Sequence, residues 1–214
     1  MATPHLFGLS MNDIIDLWDW RRRTAELYAD IRGHKDPEAA WLLWCETRVT
    51  LFRTHPQSPI EAADRASHMG PDTFPYDPSL RLTAGLVPAI EESLDLPVGE
   101  DGVVGMTAFA RTQGLLASLG GELTLYWIGG YGGGVFLPFT DATGGHETYA
   151  GGRYLLDTIK GADLGMTPDG RVILDFNFAY FPSCAHSPRY VCPLAPAANR
   201  LPGAVRAGER LKRD

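Results

Sequence analysis

The run Leu115–Ile128, LLASLGGELTLYWI, decides how the chain folds. LLASL and ELTLYWI read as two strands separated by Gly120 and Gly121, a two-residue connection in which glycine permits the positive φ of a primed turn. Downstream, TPDG ending at Gly170 likewise separates RYLLDTIKG from RVILDFNFA. Upstream, Leu80, Leu82, Ala84 and Leu86 alternate, as do Val104, Met106, Ala108 and Ala110, which is the period of a strand with one buried face. Successive hairpins with no helix between them predict a mainly antiparallel sheet, closed as a barrel or folded as a sandwich to remove its edges. A parallel nucleotide-binding fold is disfavoured on the same ground.

Before this region the period is helical. Ser10 caps a first helix with Asp13 in its first turn, and Ile14, Leu17, Trp18, Ala25, Tyr28 and Ile31 form an apolar stripe that Gly33 can end. Asp36 and Pro37 then start a second helix whose Trp41, Trp44, Thr47, Arg48 and Leu51 share a face. Ser58, Pro59 and Glu61 repeat the start signal with a capping box. The expected organisation is a single domain over residues 1–214: a helical N-terminal extension at 10–70, then an antiparallel β core at 78–208 with a Cys/Pro-rich C-terminal segment. The fold class is α+β, mainly β, with two to three N-terminal helices.

A net charge of −7 and a pI near 5.3 give no broad attraction to phosphate backbones or anionic lipid, so neither nucleic acid nor a membrane is an expected partner. A small-molecule ligand is the default, with a homodimer as an open option. Residues 1–12 lack the basic and apolar regions of a secretory signal, and three cysteines suit reduced thiols, so a cytoplasmic location is expected.

Chemistry concentrates late in the chain. Residues Asp175 to Gly208 hold two of the three cysteines, one histidine and five of the sixteen prolines, whereas a disordered tail is poor in cysteine and aromatics. Cys184 is a candidate nucleophile with His186 or His146 as base and Asp175 or Asn177 as orienting group. Alternatively Cys184, His186 and Cys192 hold a metal with His146 or Glu147, although the spacing is unusual for zinc. The third reading is structural: paired thiols or a disulfide pinning a proline-rich segment. Cys45, inside the second helix, reads as packing.

A second constellation joins Glu147, Tyr149, Arg153 and Tyr154 to Asp175 and Asn177. Arg153 offers a planar fork for an anion, and Glu147 or Asp175 can exchange protons if burial raises its pKa. The alternative is a polar network in which Arg153 pairs with an acid to fix the barrel. The cluster at Gly129–Gly134 lacks the lysine and hydroxyl of a P-loop and leads into a strand, so it reads as a turn or a close backbone approach, with Tyr131 placed to cover a pocket. Asp141 and Thr143 look like exposed turn residues. His5, His34, His55 and His68 read as surface residues. No cofactor is assigned, and a flavin-binding barrel is a fold-level analogy without a visible motif.

The segments FTDATGGHETYAGGRY at Phe139–Tyr154, DFNFAY at Asp175–Tyr180, Cys184–Pro193, NRLP at Asn199–Pro202 and AGE at Ala207–Glu209 resemble the signature of the DUF1684 family, FxDxTxGxxTYxGGRY, DFNxAY, C-x7-C-P, NRLP and AGE. The resemblance implies no established reaction. It does mark two departures: Phe178 stands where the family pattern commonly has arginine, and His186 where it commonly has an aromatic residue.

Overall fold

The computed structural model describes residues 10–97 and 102–212. Helix α1 (Met11–Gly33) starts on the expected box, with Ser10 and Asp13 capping each other, and α2 (Pro37–Thr54) starts on the Asp36 carboxylate. His5 lies outside the described residues. After α2, residues 61–68 make overlapping helical turns through Arg65 N–H to Glu61 O and His68 N–H to Asp64 O. Ser58 there caps Ile60 and donates back to Phe52 O.

The strands are β1 (Asp72–Thr73), β2 (Arg81–Pro88), β3 (Ser93–Pro97), β4 (Val103–Gln113), β5 (Thr124–Ile128), β6 (Gly134–Phe139), β7 (Arg153–Asp157), β8 (Val172–Asp175) and β9 (Glu209–Arg210). The main sheet is antiparallel with order β7-β6-β5-β4-β2-β8, and β3 adds to the outer end of β4. Just past β8, Tyr180 exchanges both backbone hydrogen bonds with Tyr154 of β7, which brings the two edges together and nearly closes a barrel. Strand residues alternate between two cores. Leu125, Leu137, Phe139, Leu155 and Leu174 fill the rolled sheet, while Tyr126, Phe136 and Tyr154 face α1 and α2 around Trp44, Tyr28 and Ile31.

Two hairpin readings are corrected. LLASL is not a strand: Leu116–Leu119 is a short helix, α3, with Leu115 and Leu119 buried one turn apart and Gly120 as its left-handed cap at φ 73°. Its start is held by Glu122, whose Oε1 accepts from the N–H groups of Gly114, Leu115 and Leu116 at 2.8–3.0 Å. The strand that pairs with β5 is β4. The TPDG turn is real, closing Thr167 N–H onto Arg171 O, but it joins Met166 to Val172 and not β7 to β8. β7 pairs with β6 instead, because the turn at Thr158–Lys160, capped by Asp157, redirects the chain.

The α1 stripe also divides. Leu27, Tyr28 and Ile31 are buried, but Met11, Ile14, Ile15 and Trp18 remain exposed, Trp18 at 68%. Among the described residues no helix is long and apolar enough to cross a membrane.

Candidate functional site

Arg153, at the start of β7, is fully buried and its guanidinium is spent within the chain. Nη2 donates to Asp141 Oδ2 at 2.6 Å and Val205 O at 2.8 Å, and Nη1 donates to Ala207 O and to Glu209 O at 3.3 Å. The side chain that pairs with it is that of Asp141, not Glu147, Asp175 or Asn177. Asp141 is therefore buried rather than exposed: its Oδ1 does serve the turn, accepting from Thr143 N–H and Oγ1, while Oδ2 takes the arginine. Burial pulls the Arg153 pKa down, and the Asp141 charge opposes that pull.

Asp175 and Asn177 form a second clasp. Asp175 Oδ1 accepts from the side chain and backbone of Asn177 at 2.8 and 3.1 Å, and Oδ2 accepts from Arg81 at 2.9 Å. Asn177 then imitates a strand partner for Asp77, accepting from its N–H and donating to its C=O, both at 2.8 Å. Burial raises the Asp175 pKa against its hydrogen bonds from Arg81 and Asn177.

Two further clasps use residues whose roles the sequence reading missed. Asn199 accepts from Thr124 N–H at 2.7 Å and donates to Thr124 O and Pro138 O at 2.8 and 2.7 Å, bridging β5 and β6. Glu209, fully buried, accepts from Arg48 of α2 at 2.5 Å and from Phe181 N–H at 2.7 Å, tying the helical unit to the C-terminal strand. Its pKa is raised by burial, with Arg48 acting in the opposite direction. Glu209 and Asn199 lie in the AGE and NRLP motifs, the one signal available in the sequence.

The remaining candidates are dispersed. Glu147 faces outward and forms a two-toothed ion pair with Arg206 at 2.8–3.0 Å. Tyr131 is fully exposed on the β5–β6 hairpin. The glycines beside it mark close approach: a Cβ on Gly133 would strike Ile128 O and the Trp127 ring, and one on Gly134 would meet Thr158 Oγ1. Tyr154 donates to Pro193 O at 2.5 Å. His55 is not a surface residue: it is 4% exposed, pairs with Asp19 at 3.2 Å and accepts from Gln57 N–H.

His186 packs edge-on against Phe52 at 5.0 Å between ring centres, with Phe181 at 6.0 Å, and its Nε2 has no hydrogen-bond partner among the described residues. It occupies an aromatic slot. Burial, then the nearby Arg48 charge, lowers its pKa to about 4, so the ring is neutral at pH 7. No hydrogen bond joins it to Cys184. The metal reading is corrected too: among the described residues no three His, Cys, Asp or Glu side chains gather where they could hold an ion.

Cys184 and Cys192 do meet. Both are free and half-buried, and the Cys192 thiol lies beside the Cys184 thiol and amide, with its pKa raised to about 11, chiefly by burial. The Tyr149 hydroxyl is 3.8 Å from Cys184 Sγ. Elsewhere, α1 and α2 enclose a groove of about 380 Å³ with Leu27, Leu43 and Leu51 as floor and Arg22, Arg23 and Glu26 on its rim.

The molecule is thus a mainly β α+β protein, an almost closed antiparallel barrel capped by a helical pair, whose buried polar groups fasten its own strands and connecting segments. It belongs to the DUF1684 family, described as a protein of unknown function, which it matches over residues 66–210. Its structure is similar to the solution NMR structure of an uncharacterised protein from Haloarcula marismortui, 31% identical, covering 81% of this chain and 94% of that one with a TM-score of 0.56. Among curated proteins none matches the chain.

Proposed function

We propose that the protein is a noncatalytic interaction domain that pairs with a second copy of itself through α1. The observation that carries this reading is the exposed stripe Met11, Ile14, Ile15 and Trp18, contiguous along one helix and leading to the α1–α2 groove. Contiguous apolar exposure of this kind marks recognition surfaces, and tryptophan is among the residues enriched as anchors in them. A two-fold, antiparallel arrangement of two α1 helices lays the stripe of one copy over the Leu27, Leu43 and Leu51 floor of the other, a self-complementary contact.

The enzyme reading, acid/base or cysteine chemistry on a small anionic substrate, has less support, because the fork of Arg153 and the carboxylate of Asp175 are already engaged inside the chain. Light scattering over a concentration series tests the proposal. Wild-type protein is expected to dimerise, and Trp18→Glu and Ile15→Glu to give folded monomers with an unchanged circular dichroism spectrum. A wild type that stays monomeric at every concentration, or variants that dimerise as well as it does, would overturn the reading.

A further inference from the structure

One cluster of nucleophilic groups takes no part in the clasps or in the α1 surface. We infer that Cys184 and Cys192 form a reactive dithiol that a hydroperoxide converts to a disulfide, with Tyr149 positioning the Cys184 sulfur. Both cysteines are free and half-buried, and their side chains lie near enough to interact. Each is carried on an anchored stretch. Ser183–Ala185 is a 3-10 turn, while Pro193 O holds the Tyr154 hydroxyl and Ala195 N–H bonds to Gly151 O at 3.3 Å. Between them Pro188 turns the chain back, so the pair is set before reaction.

Tyr149 completes the site. Its ring stands edge-on to Phe181 at 6.3 Å between centres, and it lies over Gly151, where a Cβ would meet ring atom Cε1 at 2.5 Å. Burial and the contact with Cys184 raise the tyrosine pKa, so its hydroxyl keeps the proton it donates to a Cys184 thiolate. Lys160, whose ammonium stands 5.7 Å from the centre of the Tyr154 ring, opposes the effect of burial on the Cys192 thiol.

The balance is that of a two-electron oxidation. The Cys184 thiolate attacks the outer oxygen of ROOH, the O–O bond breaks, and the departing alkoxide takes a proton to leave as ROH. The Cys192 sulfur then attacks the Cys184 sulfenic acid, the S–S bond forms, and hydroxide leaves with the Cys192 proton as water. Two thiols and one hydroperoxide give one disulfide, one alcohol and one water.

The test treats the full chain with cumene hydroperoxide and reads intact mass and a peptide map. A loss of two hydrogens with a Cys184–Cys192 link and Cys45 still alkylatable is expected. Cys192→Ser should stop at a Cys184 sulfenic acid that dimedone traps, and Cys184→Ser should form no link. Tyr149→Phe should slow the first step about threefold, the worth of one modest hydrogen bond, while Cys45 alkylation keeps its wild-type rate. Cys45→Ser should react as wild type does. Thiols that persist under excess hydroperoxide, a link to Cys45, reaction with glutathione disulfide but not with hydroperoxide, or a Tyr149→Phe protein that reacts as fast as wild type would overturn the inference.

Discussion

Arg153→Lys separates a clasp from a ligand anchor without any knowledge of a ligand. An anchoring arginine replaced by lysine keeps its charge and leaves the fold almost untouched, whereas a clasp loses the geometry that makes it work. The Arg153 guanidinium donates to Asp141, Val205 O, Ala207 O and Glu209 O from two nitrogens. A lysine ammonium at that depth satisfies Asp141 and one carbonyl. Two lost hydrogen bonds at about 1 kcal/mol each, with about 1 kcal/mol more for a buried carbonyl left unsatisfied, total about 3 kcal/mol. In a domain of this size that lowers Tm by about 6–12 °C. Arg153→Met should cost more, about 3–5 kcal/mol, because Asp141 then stays buried without its partner, and adding Asp141→Asn should recover part of the loss. Urea melts followed by far-ultraviolet circular dichroism give the stabilities, and hydrogen exchange at residues 205–209 shows whether the C-terminal segment loosens first. An Arg153→Lys protein within about 0.5 kcal/mol of wild type would refute the clasp argument, since surface-like tolerance is incompatible with four engaged contacts.

The sequence was readable where a signal and its consequence lie within one turn of each other. Ser10 with Asp13, and Asp36 with Pro37, name their helices because a cap acts on N–H groups two or three residues away. The antiparallel barrel followed from alternation and turn residues, and the DUF1684 membership from the motifs after Phe139. LLASL misled because its helix depends on Glu122 folding back over three N–H groups, a contact that alternation cannot reveal. Asp141 looked like a turn residue because it is one, through Oδ1; its second oxygen acts on the neighbouring strand. Arg48 and Glu209 lie 161 positions apart, and no local pattern joins them. The same distance effect governs the candidate site: Tyr149, Cys184 and Cys192 were each singled out, but only the packed chain shows that they meet and that Glu147, Tyr131 and His186 stand elsewhere.

The other expectations test further fastenings of the barrel and one titration. Asn199→Ala removes three hydrogen bonds that bridge β5 and β6 and should lower stability by about 3 kcal/mol in the same urea melts. Gly208 sits at φ +73° with a Cβ position already occupied by Ala179 O and Phe176 O, so Gly208→Ala should cost about 3 kcal/mol or more, measurable as Tm. His186→Phe should change the pH dependence of folding in a defined direction. The folded pKa of His186 is about 4, below the ordinary 6.5, so the unfolded chain binds the proton first as pH falls. Its contribution is therefore fully present above pH 6.5 and lost as pH falls through 6.5 toward 4. Phenylalanine cannot titrate, and the edge-on contact with Phe52 remains available to it. Between pH 7 and about pH 4.5 the variant should gain about 2 kcal/mol relative to wild type, allowing for partial exposure of the ring. The raised carboxylates of Asp175 and Glu209 act in the opposite sense, favouring the folded state as pH falls, but they are common to both proteins and cancel in the difference. Parallel pH–stability curves for wild type and variant would show that His186 is solvated or paired, and would remove it from the aromatic slot.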